Sequence, residues 1–364
     1  MMELKVDLGE RSYPIYIGEG IINDIAEIFT KHGISKLSPI LLVTDEHVAK
    51  FHLESVMELL VKGGFQISSF IVPAGEKSKS LTVFEELITA ALEAGLDRKS
   101  AIVALGGGVV GDLAGYVAAS YMRGIAFVQI PTTILAHDSS VGGKVAVNHR
   151  LAKNIIGAFH QPELVLYDIA TLRTLPEREI KAGLSEVIKH GFIRDADFVA
   201  WIDHNAFKLL ELDSEALEFA LYHGCRIKSI IVSQDERENN LRMILNLGHT
   251  IGHALEAVAK YNAFLHGEAI SIGMVGAARL AVLLGHPEHI YTETKRILRK
   301  LGLPIQVPQH LEINDIMHAM MHDKKFDSGQ MTFIIPTEIG EVEINHEVTL
   351  QQVRTVLEQL KQEE

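Results

Sequence analysis

The sequence predicts an α/β protein with two parts, an N-terminal domain built on a parallel sheet and an all-helical C-terminal domain. Between residues 21 and 130, short apolar segments typical of buried strands alternate with segments of helical periodicity, as in parallel sheets covered by helices on both faces. From Pro176 to about His322 the periodicity is helical only. We therefore predict two domains, residues 1–174 and 175–364.

The composition limits the class of protein and its partners. Among 364 residues, 47% are apolar and 22% are charged, as in ordinary globular proteins. The net charge of −13 argues against a nucleic-acid-binding surface. The single cysteine, Cys225, excludes an intramolecular disulfide and fits a reducing cytoplasm. Because we find neither the apolar core of a signal peptide nor a run of about 18 apolar residues, we expect a cytoplasmic protein without a membrane partner.

The same periodicities predict the individual elements. Residues 3–18 alternate apolar and polar positions on both sides of a short turn, which predicts a hairpin. Residues 132–153 show no regular pattern and are predicted to form a long loop. The remaining predictions are helices at 21–32, 47–62, 81–95, 109–120 and 349–362, and strands at 39–44, 66–72, 101–105, 127–130, 164–167, 331–336 and 341–344.

The loops after the predicted parallel strands carry residues suited to a dinucleotide, because ligands bind at the carboxyl ends of such strands. Asp45 could accept from ribose hydroxyls, and 74–79 (AGEKSK) carries three charges ahead of a helix. The turn 106–112 (GGGVVGD) opens a helix, where backbone N–H groups can approach a pyrophosphate. A lone G-x-G-x-x-G match is weak, and no acid follows about 20 residues later. Glycines that allow tight packing of the strand against the helix remain the alternative.

Three histidines indicate a metal site in the helical part. His249 and His253 are four residues apart and share one face of a helix, and His266 begins the next helix. Neutral imidazole is a common zinc ligand, and a catalytic zinc usually has three protein ligands. The spacing alone favours His249 with His253, and Glu186 is the obvious carboxylate donor. The alternative is that these are ordinary polar positions of amphipathic helices.

Eight motifs in consistent order resemble those of the 3-dehydroquinate synthases, and the resemblance covers nearly the whole chain. Each motif alone is modest, but together they are specific. They are GEKSK at 75–79, GGGVVGDLAG at 106–115, RG…PTT at 123–133, DSSVGGK at 138–144, SEVIKHG at 185–191, RMILNLGHTIGHALE at 242–256, LHGEA at 265–269 and DKKF at 323–326.

The resemblance implies a reaction and its cofactors. Such an enzyme converts 3-deoxy-D-arabino-heptulosonate 7-phosphate, a phosphorylated sugar acid, into 3-dehydroquinate and phosphate in the shikimate pathway of aromatic amino acid biosynthesis. NAD takes a hydride from the substrate and returns it within the same turnover. The resemblance also implies a homodimer and a divalent metal, zinc or alternatively cobalt. The ligands of this metal would be Glu186, His249 and His266, with His253 beside the metal. The spacing argument instead favoured His253 as a ligand together with His249.

The resemblance also implies the roles of individual residues. The substrate phosphate would be bound by Lys144, Asn154 and one of Lys324 and Lys325. Arg123 would reach the same phosphate across a dimer interface. The substrate carboxylate would pair with Arg242 and Lys228. Asp138, Lys189 and Asn246 would hold hydroxyls and order the metal ligands. The positions expected at the NAD site are Asp45, Gly75, Glu76, Lys77, Ser78, Lys79, Gly107, Gly108, Val109, Val110, Gly111, Asp112, Thr132, Thr133, Lys144, Lys153, Thr171, Leu172, Arg173 and Thr174.

One departure from the family pattern is His47, which stands where an asparagine often contacts the adenosine. This departure puts only the contact with the adenosine in question.

Three other functions are compared with this one. A 2-deoxy-scyllo-inosose synthase acts on glucose 6-phosphate, which has no carboxylate to require both Arg242 and Lys228. A polyol dehydrogenase of the glycerol dehydrogenase type would need fewer cationic residues. A non-catalytic metabolite-binding protein would have lost a metal ligand or Lys189, and all of these are present. The residues favour dehydroquinate formation.

Overall fold

In the computed structural model the chain forms two compact units, Met1–Leu175 with Leu217–Arg237, and Pro176–Ala216 with Glu238–Glu364. The structure describes residues 1–259, 263–323 and 332–362. The boundary predicted from periodicity, after residue 174, places 217–237 in the second domain, whereas the structure groups this segment with the first unit. Helical periodicity predicts that a segment is a helix, but it does not show which core the helix packs against.

A seven-stranded sheet in the order β1-β2-β9-β6-β5-β3-β4 forms the centre of the first unit. All neighbouring strands from β2 to β4 are parallel, and β1 pairs antiparallel with β2 as the predicted hairpin. The predicted parallel sheet is thus confirmed. Its strands are β1 (Met2–Val6), β2 (Tyr13–Gly18), β3 (Ile40–Asp45), β4 (Ile67–Val72), β5 (Ala101–Gly106), β6 (Ala126–Pro131) and β9 (Leu164–Asp168).

Each face of this sheet carries its own apolar core, because successive side chains of a strand point to opposite faces. One core contains Leu42 of β3 with Phe29, and the other contains the neighbouring Leu41 with Leu113. Near-continuous apolar strands such as β5 are buried on both faces for this reason. The helices of this unit are α1 (Ile25–Lys31), α2 (Glu46–Val48), α3 (Glu54–Lys62), α4 (Leu81–Glu93), α5 (Gly108–Ser120) and α6 (Ala136–Ser139), with most of α9 (Ser214–Gln234).

The segment 132–153, predicted as a long loop, contains regular structure. It forms α6 and then enters a hairpin of β7 (Lys144–His149) and β8 (Ala152–Phe159). The hairpin packs closely on α5, where a Cβ added to Gly115 would lie 2.3 Å from Val145 Cγ1. The loop prediction was wrong because the polar residues that suggested it lie partly on α6, which carries Asp138, and partly on exposed and half-buried positions of the hairpin.

The second unit is mainly helical, as predicted, but it also contains a hairpin of β10 (Phe333–Glu338) and β11 (Glu341–Asn345). The description as all-helical is therefore incomplete, although a strand pair was predicted here. None of the helices in the described ranges combines the length and hydropathy of a transmembrane span. The helices are α7 (Glu177–Arg194), α8 (Ala196–Leu210), α10 (His249–Val258), α11 (His266–Leu283), α12 (Glu288–Lys300), α13 (Ile313–Asp323) and α14 (Leu350–Gln362).

Candidate active site

In the first unit, two of the predicted cofactor segments lie at the point where the strand order changes direction. The chain proceeds from β3 outward to β4, then crosses back to β5 and continues to β6 on the other side. Ligands of open α/β sheets bind outside the carboxyl ends of the strands at such a point. Asp45 ends β3 here, and Gly107 follows β5 directly.

Different glycines of the turn 106–112 fit the two alternatives drawn from the sequence, which are a pyrophosphate site and tight packing of the strand against the helix. A Cβ added to Gly107 would lie 3.0 Å from Thr133 Cγ2, and one added to Gly108 would lie 3.1 Å from Ser139 Oγ. Because the glycines lack this atom, the backbone at the start of α5 stays accessible. The N–H groups of this first turn lack intrahelical partners and can bind a phosphate. Gly111 instead serves packing, because its added Cβ would meet Gln129 Oε1 at 3.0 Å.

Two further groups in this unit have hydrogen-bonding capacity for a nucleotide. Asp45 caps α2 by accepting from the backbone N–H groups of His47 and Val48, and both bonds use Oδ1. The hydroxyl of Thr132 is buried and has no hydrogen-bond partner within the described residues. A buried polar group without a partner is costly. The Thr132 hydroxyl and the accessible start of α5 therefore fit a bound dinucleotide.

Lys79 connects the predicted NAD loop to the hairpin that carries Asn154. Its ammonium lies 2.6 Å from Asp112 Oδ2 and 2.5 Å from Asn154 Oδ1. Asn148 adds a second connection, because it donates to Glu76 Oε1 at 2.7 Å and accepts from the Asn154 N–H at 2.9 Å. These bonds hold Asn154 in a left-handed conformation, with a φ of 56°. Burial raises the pKa of Asp112, and the charge of Lys79 acts against that rise.

Several predicted NAD positions have other partners or are buried. The hydroxyl of Ser78 donates to the Pro73 carbonyl, and Arg173 forms an ion pair with Glu19. Lys77 is exposed, and Val110 is buried in the core above the sheet. The other predicted positions follow the carboxyl ends of strands or lie on the hairpin. Gly75 caps a short 3-10 helix, Val109 lies in the first turn of α5, Thr133 follows β6, and Lys153 lies on β8. The 3-10 helix Ile169–Thr174 contains Thr171, Leu172 and Thr174.

Lys228 and Asp138, predicted to contact different groups of the substrate, are paired with each other. The Lys228 ammonium lies 2.9 Å from the Asp138 carboxylate and donates to its carbonyl at 2.5 Å. Nearby Cys225 is buried, which raises the pKa of its thiol to about 12 and makes it inert. Arg123 is exposed and makes no ion pair or hydrogen bond with the part of the chain that the structure describes.

In the second unit, three helices bring together a carboxylate and two imidazoles. Glu186 lies on α7, His249 begins α10 and His266 begins α11, and one ligand atom from each lies within 4.8 Å of the others. The ring of His253 lies 5.1 Å from that of His249 and 5.9 Å from that of His266. A second group of His253, Glu256 and His266 also meets the 4.8 Å limit.

The environment of Glu186 fits a bound cation. The residue is 1% exposed, and neither carboxylate oxygen makes a hydrogen bond of ordinary geometry with the described residues. The Lys189 ammonium nevertheless lies 2.5 Å from Oε2 as an ion pair, so the carboxylate is partly compensated. His266 Nε2 lies 3.9 Å from Oε1, a separation that leaves room for an ion.

The two candidate imidazole ligands differ in their electrostatics. Burial, together with Lys189 and the neighbouring imidazoles, holds the pKa of His249 well below its ordinary value. It is therefore neutral at pH 7, which is the form that binds a metal. Burial acts to lower the pKa of His266, but the hydrogen bond to Glu256 and the charge of Glu186 raise it above its ordinary value.

Glycines allow these three helices to approach closely. A Cβ added to Gly267 would lie 1.8 Å from the Ala182 carbonyl oxygen of α7, and one added to Gly273 would lie 1.9 Å from the Gly248 carbonyl oxygen at the start of α10. These distances are far below van der Waals contact. The glycines of α11 therefore determine how near the ligand-bearing helices lie.

The remaining predicted site residues of this unit lie on the segment before α10. Arg242, 1% exposed, and Asn246 belong to the 3-10 helix Leu241–Asn246, and the Asn246 amide lies 3.4 Å from Glu238 Oε1. Lys324 and Lys325 lie outside the described residues. Glu238 and Glu256 were not predicted as site residues. Glu256 could have been found, because it lies seven residues, or two turns, after His249.

Comparison with known proteins assigns the family. Models described as 3-dehydroquinate synthase N-terminal and C-terminal match residues 69–182 and 183–326. A 3-dehydroquinate synthase of Desulforamulus reducens is 48% identical over 99% of this chain and 100% of its own length. A 2-deoxy-scyllo-inosose synthase complexed with carbaglucose-6-phosphate, NAD⁺ and Co²⁺ has a TM-score of 0.90 and 27% identity, covering 98% of this chain and 99% of its own.

A second solved structure is the 2-epi-5-epi-valiolone synthase of Streptomyces hygroscopicus, with NAD⁺ and Zn²⁺ bound. It has a TM-score of 0.88 and 26% identity, covering 97% of this chain and 98% of its own. These likenesses extend along the whole chain, as did the motifs. The two family models and the relative that is 48% identical show that the chain belongs to the 3-dehydroquinate synthase family.

Proposed function

We propose that this protein is a 3-dehydroquinate synthase, which converts 3-deoxy-D-arabino-heptulosonate 7-phosphate into 3-dehydroquinate and phosphate. It would thereby supply the shikimate pathway. The observation that carries the proposal is the cluster of buried Glu186 with half-buried His249 and His266 in a chain of this family. Lys189 beside the cluster adds the cationic group expected near an oxygen-rich substrate.

The proposed cofactors are NAD and one divalent metal, zinc or cobalt, as named for the similar solved synthases. When bound, NAD would accept a hydride from a hydroxyl-bearing carbon of the substrate and return it, and the metal would polarise the oxygen on that carbon. Glu186, His249 and His266 are proposed to hold the metal. Lys189 orients the carboxylate of Glu186 through their ion pair.

The first unit is proposed to bind NAD at the start of α5 and at Asp45. Because Asp45 uses Oδ1 to cap α2, its Oδ2 can accept from a ribose hydroxyl. The N–H groups at Gly107 and Gly108 would hold the pyrophosphate. Thr132 would use its hydroxyl, which otherwise has no partner within the described residues.

The substrate phosphate is proposed to bind Lys144, Asn154 and Arg123. Because Lys79 donates to the Oδ1 of Asn154, the amide nitrogen of Asn154 is the group available to donate to a phosphate oxygen. The second lysine expected here, Lys325, lies outside the described residues. A phosphate held by cationic and amide donors is a better leaving group, because these donors neutralise the developing charge.

The other polar residues are proposed to orient the substrate. Arg242 would pair its guanidinium with the substrate carboxylate, for which its planar shape is suited, and Lys228 would add a second positive charge. Asp138 and Asn246 would hold hydroxyls. His253 is exposed beside the metal cluster and would transfer a proton during elimination.

We also propose that the enzyme is a homodimer in the cytoplasm. Exposed Arg123, with no partner in the described part of its own chain, supports a contact with a second subunit, and the single buried cysteine supports a reducing compartment. Sedimentation of the purified protein tests the first point, and a monomer at all concentrations would rule it out.

The reaction is tested by phosphate release from the heptulosonate phosphate with catalytic NAD⁺, before and after metal removal by a chelator. We expect release that requires metal, yields dehydroquinate and accumulates no NADH. NADH formed in step with turnover would indicate a dehydrogenase instead. Turnover of glucose 6-phosphate alone would assign the chain to the inosose synthases.

A further inference from the structure

Glu256 is a buried carboxylate beside the proposed metal centre, and the function proposed above assigns it no role. It is 6% exposed and lies two turns after His249 on α10. Its Oε2 lies 3.2 Å from Nδ1 of His266 on α11. The imidazole of His266 therefore lies between two carboxylates, with Nδ1 near Glu256 and Nε2 facing Glu186.

The hydrogen-bond partners determine which ring nitrogen each candidate ligand offers. A neutral imidazole that donates from Nδ1 carries its lone pair on Nε2. His249 Nδ1 lies 3.2 Å from the Leu247 carbonyl oxygen, which can only accept, so His249 donates from Nδ1. His266 Nδ1 donates to the Glu256 carboxylate in the same way. Both rings therefore offer Nε2 as the metal donor.

The two acceptors are chemically different. The Leu247 carbonyl is neutral, whereas an ionised Glu256 makes a charge-assisted hydrogen bond that is about twice as strong as a neutral one. A carboxylate on the outer nitrogen increases the basicity of the inner one and prevents rotation of the ring. His266 is the first residue of α11, and its side chain is only half-buried. The hydrogen bond to Glu256 therefore restricts a ring that packing alone does not enclose.

We propose that Glu256 is a positioning residue for the metal centre, which fixes the tautomer and orientation of His266 and strengthens it as a ligand. This inference rests on the proposed metal site, and it deepens that part of the proposed function. Glu256 acts on the metal through His266 and does not touch it.

The structure also favours this role over direct ligation by Glu256. His253, Glu256 and His266 could form a ligand set by distance. In that set, however, His253 is exposed, and Glu256 Oε2 already accepts from Nδ1 of His266. Glu186 is more deeply buried than Glu256, and apart from the ion pair with Lys189 its oxygens make no hydrogen bond to the described residues, so they remain able to bind a metal.

The test compares Zn²⁺ affinity, measured by competition with a chromophoric chelator, in the full-length protein and in Glu256→Gln and Glu256→Leu. We expect a loss of about 10–100-fold for Glu256→Leu, the range typical of an outer carboxylate. Glu256→Gln should lose less, because its amide oxygen still accepts from Nδ1 but carries no charge. The visible spectrum of the Co²⁺-loaded protein should shift in both variants, which a packing role would not produce.

The matched control is Glu338→Gln. Glu338 forms a hydrogen-bonded pair with His289 in the same unit, so this variant makes the same chemical change away from the metal cluster. Its Zn²⁺ affinity and Co²⁺ spectrum should equal those of the wild type. The near-isosteric Glu256→Gln keeps the test informative should Glu256→Leu fail to fold.

Each outcome decides between the roles. Wild-type affinity and spectrum in a folded Glu256→Gln would overturn the inference. So would an equal loss in His253→Gln and Glu256→Gln, because it would indicate that both residues are ligands of one site. Failure of the wild type itself to bind Zn²⁺ would instead overturn the proposed metal centre.

Discussion

At the scale of single residues, Glu186 is a buried carboxylate whose oxygens retain coordination capacity beyond the ion pair with Lys189. It is buried, and it is paired with Lys189 yet makes no hydrogen bond of ordinary geometry to the described residues. Glu186→Gln removes the only anionic group of the proposed ligand set. We expect Zn²⁺ affinity to fall by more than about 100-fold, beyond the loss typical for an outer-shell partner.

The Glu186→Gln variant is measured by chelator competition and by thermal unfolding with added Zn²⁺. A ligand that binds only the folded state raises its stability in proportion to the logarithm of its concentration over Kd. Zn²⁺ should therefore raise the melting temperature of the wild type but not that of the variant. An equal rise in both would exclude Glu186 as a ligand.

Residues around Lys79 show what could and could not be predicted at this scale. Lys79, Asp112 and Asn154 were all recognised as candidate site residues from the sequence. Their direct connection through the Lys79 ammonium was not, because they lie far apart along the chain. Spacing identifies contacts only within one element, whereas these groups belong to three.

At the scale of elements, the close packing of α10 and α11 depends on Gly273. An alanine there would place its Cβ 1.9 Å from the Gly248 carbonyl oxygen, a backbone atom that cannot turn away. We expect Gly273→Ala to lower the free energy of unfolding by about 3 kcal/mol, the upper end of typical overpacking costs. Urea unfolding monitored by circular dichroism measures this loss, and Zn²⁺ affinity should fall with it.

Gly276→Ala is the control on the same helix. Its added Cβ would lie 2.6 Å from Ile251 Cδ1, the end of a side chain that can change rotamer. The gain in helix propensity, about 1 kcal/mol, should offset most of the clash. Similar losses in the two variants would contradict the view that the Gly248 backbone sets the distance between the helices.

The element scale also explains where prediction failed. The helices that were predicted individually and the parallel strands agree with the structure within a few residues, whereas 176–322 was predicted only as a helical region without bounds for its helices. The β7–β8 hairpin was taken for a loop because its polar residues lie on exposed strand positions. Its apolar face is recognisable only against α5, which supplies the partner surface.

At the scale of the whole molecule, stability should depend on pH through Asp203. This carboxylate on α8 lies 2.8 Å from Arg296 and 2.9 Å from Lys300, both on α12. Hydrogen bonding and charge from these residues lower the pKa of Asp203 to about 2 from its ordinary 3.8. Because the folded pKa is below the unfolded one, this stabilisation is fully present above pH 4 and is lost as the pH falls toward 2.

Asp203→Asn tests this dependence. The pKa shift alone would correspond to about 2.5 kcal/mol. Since the Arg296 side chain is 46% exposed, solvent screening reduces our expectation to about 1 kcal/mol. Urea unfolding should show this difference at pH 7 and a steadily smaller one from pH 4 downward. A difference that stays constant with pH would show that the ion pair is not its source.

By itself, the sequence determined the order and type of most elements, the family, and which side chains could bind NAD, phosphate and a metal. These depend on local periodicity, glycine conformations and motif order, all of which are properties of neighbouring residues.

Only the tertiary structure shows directly that these side chains meet, since the family resemblance implied the ligand set without its geometry. Spacing along α10 favoured His249 with His253, because a helix aligns residues four apart. The packing of α7, α10 and α11 brings a ligand atom of His249 together with those of Glu186 and His266, and places Glu256 behind His266. The physical reason is that a metal site is a point in space, and its position depends on how close glycines allow three helices to pack.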